Sequence, residues 1–102
     1  MRIIALFNLK PGVAVADYEA WAKSVDLPTV IGLPSIDAFE VFRTTGLLGS
    51  EAASPYAYIE IIDVNDMEQF GQDVATPIMQ AIANDFQGMA DVTFITTEQI
   101  KA

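Results

Sequence analysis

Tyr56-Ala57-Tyr58-Ile59-Glu60-Ile61-Ile62-Asp63-Val64 reads as a β-strand with large apolar side chains on both of its faces. Side chains alternate across a strand, so Ile59 and Ile61 point opposite to Tyr58 and Ile62. A sheet with one wetted face would alternate apolar with polar residues instead. Two other segments read the same way. In residues 2–9, Ile4 and Leu6 oppose Ile3, Ala5 and Phe7. In residues 35–45, Phe39 and Val41 oppose Ile36, Ala38 and Phe42.

The neighbouring segments set the order of elements. Gly46, Gly49, Ser50, Ser54 and Pro55 make residues 46–55 a long hairpin loop. Upstream, Val15, Tyr18, Ala22 and Val25 recur at spacings of three and four, and Trp21 widens the stripe. That spacing predicts a helix ending near Asp26, because Pro28 biases Leu27 away from helical geometry. Residues 27–34, with two prolines and a glycine, read as a loop. Downstream, Asn65 or Asp66 with Glu68 or Gln69 fits a capping box. Met67, Phe70, Val74, Ile78, Ile82 and Phe86 then share one helical face. Pro77 lies inside that run and predicts a kink, or a restart capped by Thr76. Gly88 reads as a terminator, and residues 91–97 as a fourth strand. The order β-α-β-β-α-β is the ferredoxin-like α+β arrangement, a four-stranded antiparallel sheet with two helices on one face. Residues 1–102 make a single domain.

Two helices can cover only one face of that sheet. Burying a large apolar side chain is worth roughly 1.5–3 kcal/mol, and an apolar face left in water invites association. The expected solution is a homodimer in which two open sheet faces meet, a dimeric α/β barrel.

Composition narrows the chemistry. With 52% hydrophobic and 19% charged residues the chain is a folder, not a disordered segment. It has no Cys and no His. That argues against a zinc or copper site and against a Ser-His-Asp or Cys-His nucleophile. The glycines form neither a dinucleotide nor a phosphate fingerprint, so no cofactor is implied. Five basic residues stand against fourteen acidic ones, a net charge of −9, which argues against nucleic acid and anionic membranes as partners. The imbalance sits in residues 51–102, with one basic residue and nine acidic ones. This is a solvated acidic face or a docking surface for a cation or basic protein. The apolar run 3–7 is short for a signal segment, no stretch is long enough to span a membrane, and a cytoplasmic location is expected.

Polar residues inside apolar strands are the candidate site. Arg43 ends Phe39-Glu40-Val41-Phe42-Arg43, and a buried guanidinium needs a carboxylate or an anionic ligand. Glu60 is one available partner. If Glu60 faced Glu40 instead, like-charge repulsion would leave a proton donor. A structural ion pair or edge-exposed charges account for the same residues. Tyr18, Trp21 and Tyr58 fit either a core or a flat aromatic pocket. Asp26 fits either an Asx-turn cap or a carboxylate at a pocket mouth.

Asp17-Tyr18-Glu19-Ala20-Trp21-Ala22-Lys23, Asp26-Leu27-Pro28 and residues 33–43 resemble the REDY-like (HapK) family, as do Tyr58-Ile59-Glu60-Ile61 and the late segment from Asp85-Phe86 to Phe94-Ile95. The resemblance covers nearly the whole chain. It implies a dimeric α/β-barrel protein of prodigiosin-type pigment and antibiotic biosynthesis, in the branch making the methoxy-bipyrrole carbaldehyde. It brings no catalytic set to map onto this chain. Related barrels include cofactor-free monooxygenases, isomerases and cyclases, which often use His, and His is absent here.

Three functions follow. The first is an accessory protein holding a flat, apolar pyrrolic intermediate, with Tyr18, Trp21 and Tyr58 stacking and Arg43 with Glu60 orienting polar groups. The second is a cofactor-independent enzyme (a cyclase, isomerase or oxygenase) using Glu60 or Asp26 as acid or base, Arg43 to stabilise an enolate and a Tyr to donate a proton. The third is an interaction module that docks a pathway enzyme through the acidic second half.

Overall fold

In the computed structural model, which describes residues 1–102, the expected strands form with small changes at their ends. β1 is Arg2–Leu9, β2 Ile36–Arg43, β3 Tyr58–Val64 and β4 Ala90–Thr96. They pair in the order β2-β3-β1-β4, antiparallel throughout. The helices are α1 (Val15–Trp21), α2 (Leu27–Ile31), α3 (Met67–Val74) and α4 (Pro77–Met89). The fold is thus the ferredoxin-like α+β arrangement.

The first helical region departs from the expectation. It does not stop near Asp26. A π-helical segment, Ala22–Asp26, joins α1 to α2. Leu27 N–H donates to the Ala22 carbonyl, five residues back. Pro28 explains the wide turn, since in a tight α-turn its ring would strike the Ser24 carbonyl. Because Pro28 stands in the first turn of α2, its missing N–H is tolerated there.

The second helical region restarts as one of the two expected outcomes. Thr76 caps α4 by accepting from the Met79 N–H at 3.4 Å. Asp66 caps α3 by accepting from Glu68 and Gln69. The restart rephases the stripe, so Met79, Ile82 and Phe86 face inward while Ile78 is exposed. Gly88 does not terminate the helix, which runs through Met89 directly into β4.

One face of the sheet meets the helices. Ile3, Ala5, Phe7, Phe39, Tyr58, Glu60, Ile62 and Val64 lie there, all buried. A register shift between Ile36 and Ala38 puts Ile36 on this face with Phe39 and Val41, a departure from strict alternation. The other face carries Phe42, Ile59 and Leu6 in one cross-strand row and Ile61, Ile4 and Ile95 in the next. No element of the chain covers it. No helix is long and apolar enough to cross a membrane.

Candidate functional site

A cavity of about 280 Å³ lies between the sheet and the helices, and ten of its fourteen lining residues are hydrophobic. Phe39, Ile62, Phe70, Met79 and Phe86 supply much of its wall. Its exposed rim carries Gln80, Gln87 and Phe94. The cavity follows from the register. Glu60 on β3 lies between Val41 and Ala5, and Ala5 pairs onward to Phe94. Ala5 is the small side chain of that row and puts little bulk between Glu60 and Phe94.

Two carboxyls face this apolar space. Asp26 is 5% exposed and Glu60 2%. Glu60 Oε1 is buried with no hydrogen-bond partner. Desolvation disfavours a charge in such a place. Burial, joined by the charge of Asp26, pushes the Glu60 carboxyl up to about 8. Burial alone pushes Asp26 up to about 6. Asp26 loses its proton first, while Glu60 is still neutral, so only Glu60 feels the other's charge. Asp26 makes no cap with its side chain. It is a wall of the cavity, and the Asx-turn alternative is set aside. Two carboxyls do not make a metal centre, and no group of three or more ligating side chains stands together.

Arg43 lies elsewhere. It pairs with Glu19 of α1 through both nitrogens of its fork, the Nε contact being 2.9 Å, and its side chain is 63% exposed. It pairs with neither Glu60 nor the cavity. Strand register decides this, since Arg43 stands opposite Tyr58 and Val41 opposite Glu60. Glu40 stands opposite Ile61 on the open face, so the two glutamates do not meet. Glu19 also accepts from the Tyr58 hydroxyl at 2.8 Å. Hydrogen bonds from Arg43 and Tyr58 hold its carboxyl down at about 2.

Tyr18 and Tyr58 pack edge to face at 4.9 Å, with Phe7 stacked on Tyr58 at 5.1 Å. They fill the core beside the cavity and line a smaller recess of about 200 Å³ with Glu19 and Arg43. Burial raises Tyr18 well above the ordinary phenol range, and its hydroxyl has no partner. Trp21 stacks on Phe86, centroids 6.2 Å apart and planes within 4°, so the indole backs the cavity wall. Of the residues that the sequence singles out, then, Asp26 and Glu60 meet in one cavity and Trp21 stands behind it. Glu19 and the α4 wall went unforeseen. Glu19, four residues before Lys23 on a charged surface, gave no signal of its partner.

The comparisons agree with this architecture. The family described as REDY-like protein HapK matches residues 1–100. The chain belongs to the HapK family. The crystal structure of HapK from Hahella chejuensis shares 33% identity with it at a TM-score of 0.75, over 100% of this chain and 95% of that one. The At3g17210 protein of Arabidopsis thaliana gives a TM-score of 0.80 at 20% identity, over 99% and 96% of the chains. SnoaB, a cofactor-independent oxygenase from Streptomyces nogalater, gives 0.69 at 15% identity, over 97% and 93%. At those lower identities the likeness is one of fold. No curated protein matches the sequence.

Proposed function

We propose that this HapK-family protein holds a small, flat, largely apolar intermediate of secondary-metabolite biosynthesis in the cavity between sheet and helices. A pyrrolic intermediate of the prodigiosin type is the best chemical match. The observation that carries the reading is Glu60 Oε1, a buried acceptor without a partner in an apolar cavity. Leaving a buried polar atom unpaired costs about 1–3 kcal/mol. A pyrrole offers one N–H on an otherwise apolar ring and would remove that cost. The cavity volume of about 280 Å³ is just under the roughly 300–1,000 Å³ common for ligand sites, which suits a small ligand of one or two linked rings. Titration with a bipyrrole carbaldehyde tests this. Trp21 is the single tryptophan, so its fluorescence should be quenched, and the melting temperature should rise. An unchanged signal and an unchanged Tm sink the idea.

The split carboxyls favour a second reading, a cofactor-independent acid–base enzyme of the same biosynthesis. At neutral pH Asp26 is ionised and Glu60 protonated, so a base and an acid share one dry cavity. Arg43, bound to Glu19, takes no part. Turnover by the pure protein, bell-shaped in pH and lost in a folded Glu60→Gln variant, would favour this reading over simple holding.

The partner we propose is a second copy of the chain, its open sheet face packed on this one. The apolar rows Phe42-Ile59-Leu6 and Ile61-Ile4-Ile95 support it.

A further inference from the structure

The cavity's charge balance is incomplete, and this bears on the class of ligand. Asp26 and Glu60 both line it, and none of the fourteen lining residues is Lys or Arg. The five basic residues of the chain are Arg2, Lys10, Lys23, Arg43 and Lys101. Arg2 is paired with Asp63 and Arg43 with Glu19, and the others lie outside the lining. The elements packed around Glu60 bring it Asp26 from the π segment and Tyr18 from α1, while β1 and β2 set Ala5 and Val41 opposite it. Every titratable neighbour is therefore an acid. Buried charges are normally paired, and here the protein supplies no positive partner.

We propose that the cavity selects a flat aromatic monocation, of the amidinium or conjugated iminium kind, over its neutral isostere, with Asp26 and Glu60 as counter-ions. The inference rests on the ligand-holding reading above and names the charge of the ligand. Three features support the flat cation over a compact ammonium. The walls include the aromatic rings of Phe39, Phe86 and Phe94, and the face of such a ring attracts a cation through its quadrupole. A delocalised cation is weakly hydrated, so it enters an apolar cavity at lower cost. Its paired N–H groups match the fork of a carboxylate, as in bidentate recognition. A neutral pyrrole carbaldehyde lacks that charge and serves as the weaker-binding reference.

Benzamidine and benzamide, nearly equal in size, form the test pair at pH 7. Calorimetric or Trp21-fluorescence titration should give benzamidine about tenfold tighter binding or more, the range of a charge-assisted hydrogen bond. Binding should release protons, seen as a dependence of the binding heat on the buffer's ionisation enthalpy. In Glu60→Gln and Asp26→Asn variants that keep a cooperative melting transition, the preference should shrink while benzamide affinity holds. Equal affinity of the wild-type protein for the two probes overturns the cation assignment and leaves the holding reading standing. A preference that survives both variants also overturns it, since the acidic surface would then be its source. Failure of both probes to bind overturns the cavity as a ligand site altogether.

Discussion

At the scale of the residue, Glu60 decides most. In sequence it is visible as the polar member of Tyr58-Ile59-Glu60-Ile61-Ile62, but its surroundings depend on register, which a strand pattern does not encode. Once register places it opposite Ala5 and Val41, burial follows, and so does a pH dependence. The folded values of Glu60, about 8, and Asp26, about 6, both lie above their ordinary 4.5 and 3.8. Between those limits the folded chain binds more protons than the unfolded one, so stability falls as pH rises. Their contribution is intact below about pH 4 and lost by about pH 8. Glu19 works in the other sense, its stabilisation fading as pH drops from 4.5 toward 2. The melting temperature should therefore peak near pH 5 and decline toward pH 9. Glu60→Gln should flatten the decline above pH 6 and melt higher than wild type at pH 8.5. Parallel profiles for the two proteins would refute the assignment. Arg43→Met, by contrast, should leave the melting temperature at neutral pH almost unchanged, because an exposed ion pair contributes little.

At the scale of the element, the π segment turns an ordinary helix into part of a site. The sequence stripe Val15-Tyr18-Ala22-Val25 assumes 3.6 residues per turn throughout. The observed buried set is Tyr18, Ala22, Asp26 and Val30, spaced by fours. One wide turn advances the phase by a residue, so Asp26 faces inward and Val25 is left exposed. A pattern rule keyed to the regular helix has no means of finding that shift, though Pro28 marks where it occurs. Asp26→Asn keeps the side chain at that phase and takes away its charge. Removal of the Asp26 charge should bring the Glu60 titration down, which NMR of the Glu60 side-chain carboxyl would register. An unmoved Glu60 midpoint would refute the link. Capping residues, in contrast, are legible because their signal is local. Thr76→Ala should cost about 1 kcal/mol in denaturant unfolding, with the cavity unaffected.

At the scale of the molecule, the two-faced strands that determine the fold also leave a debt. The element order is readable because each periodicity is short-range, and the helix-covered face follows the pattern in β1 and β3, while in β2 the register shift adds Ile36 to it beside Phe39 and Val41. The opposite face retains Phe42 at 45% and Ile95 at 41% exposure around the half-buried Ile4, Leu6, Ile59 and Ile61. Covering such side chains is worth roughly 1.5–3 kcal/mol each, enough to drive association even after its entropic cost. A like charge of −9 on each chain opposes it. The opposing field is screened over about 8–10 Å at physiological salt, whereas apolar burial is not weakened by salt. Sedimentation at micromolar concentration should accordingly find a dimer whose dissociation constant falls as sodium chloride is raised from low to moderate concentration. Leu6→Glu would place a carboxylate in the middle of the apolar rows, and should yield monomers that keep the Trp21 emission of the folded chain. A wild-type protein that stays monomeric at every salt concentration would remove the barrel, while the cavity on the other side of the sheet, built wholly from one chain, would remain.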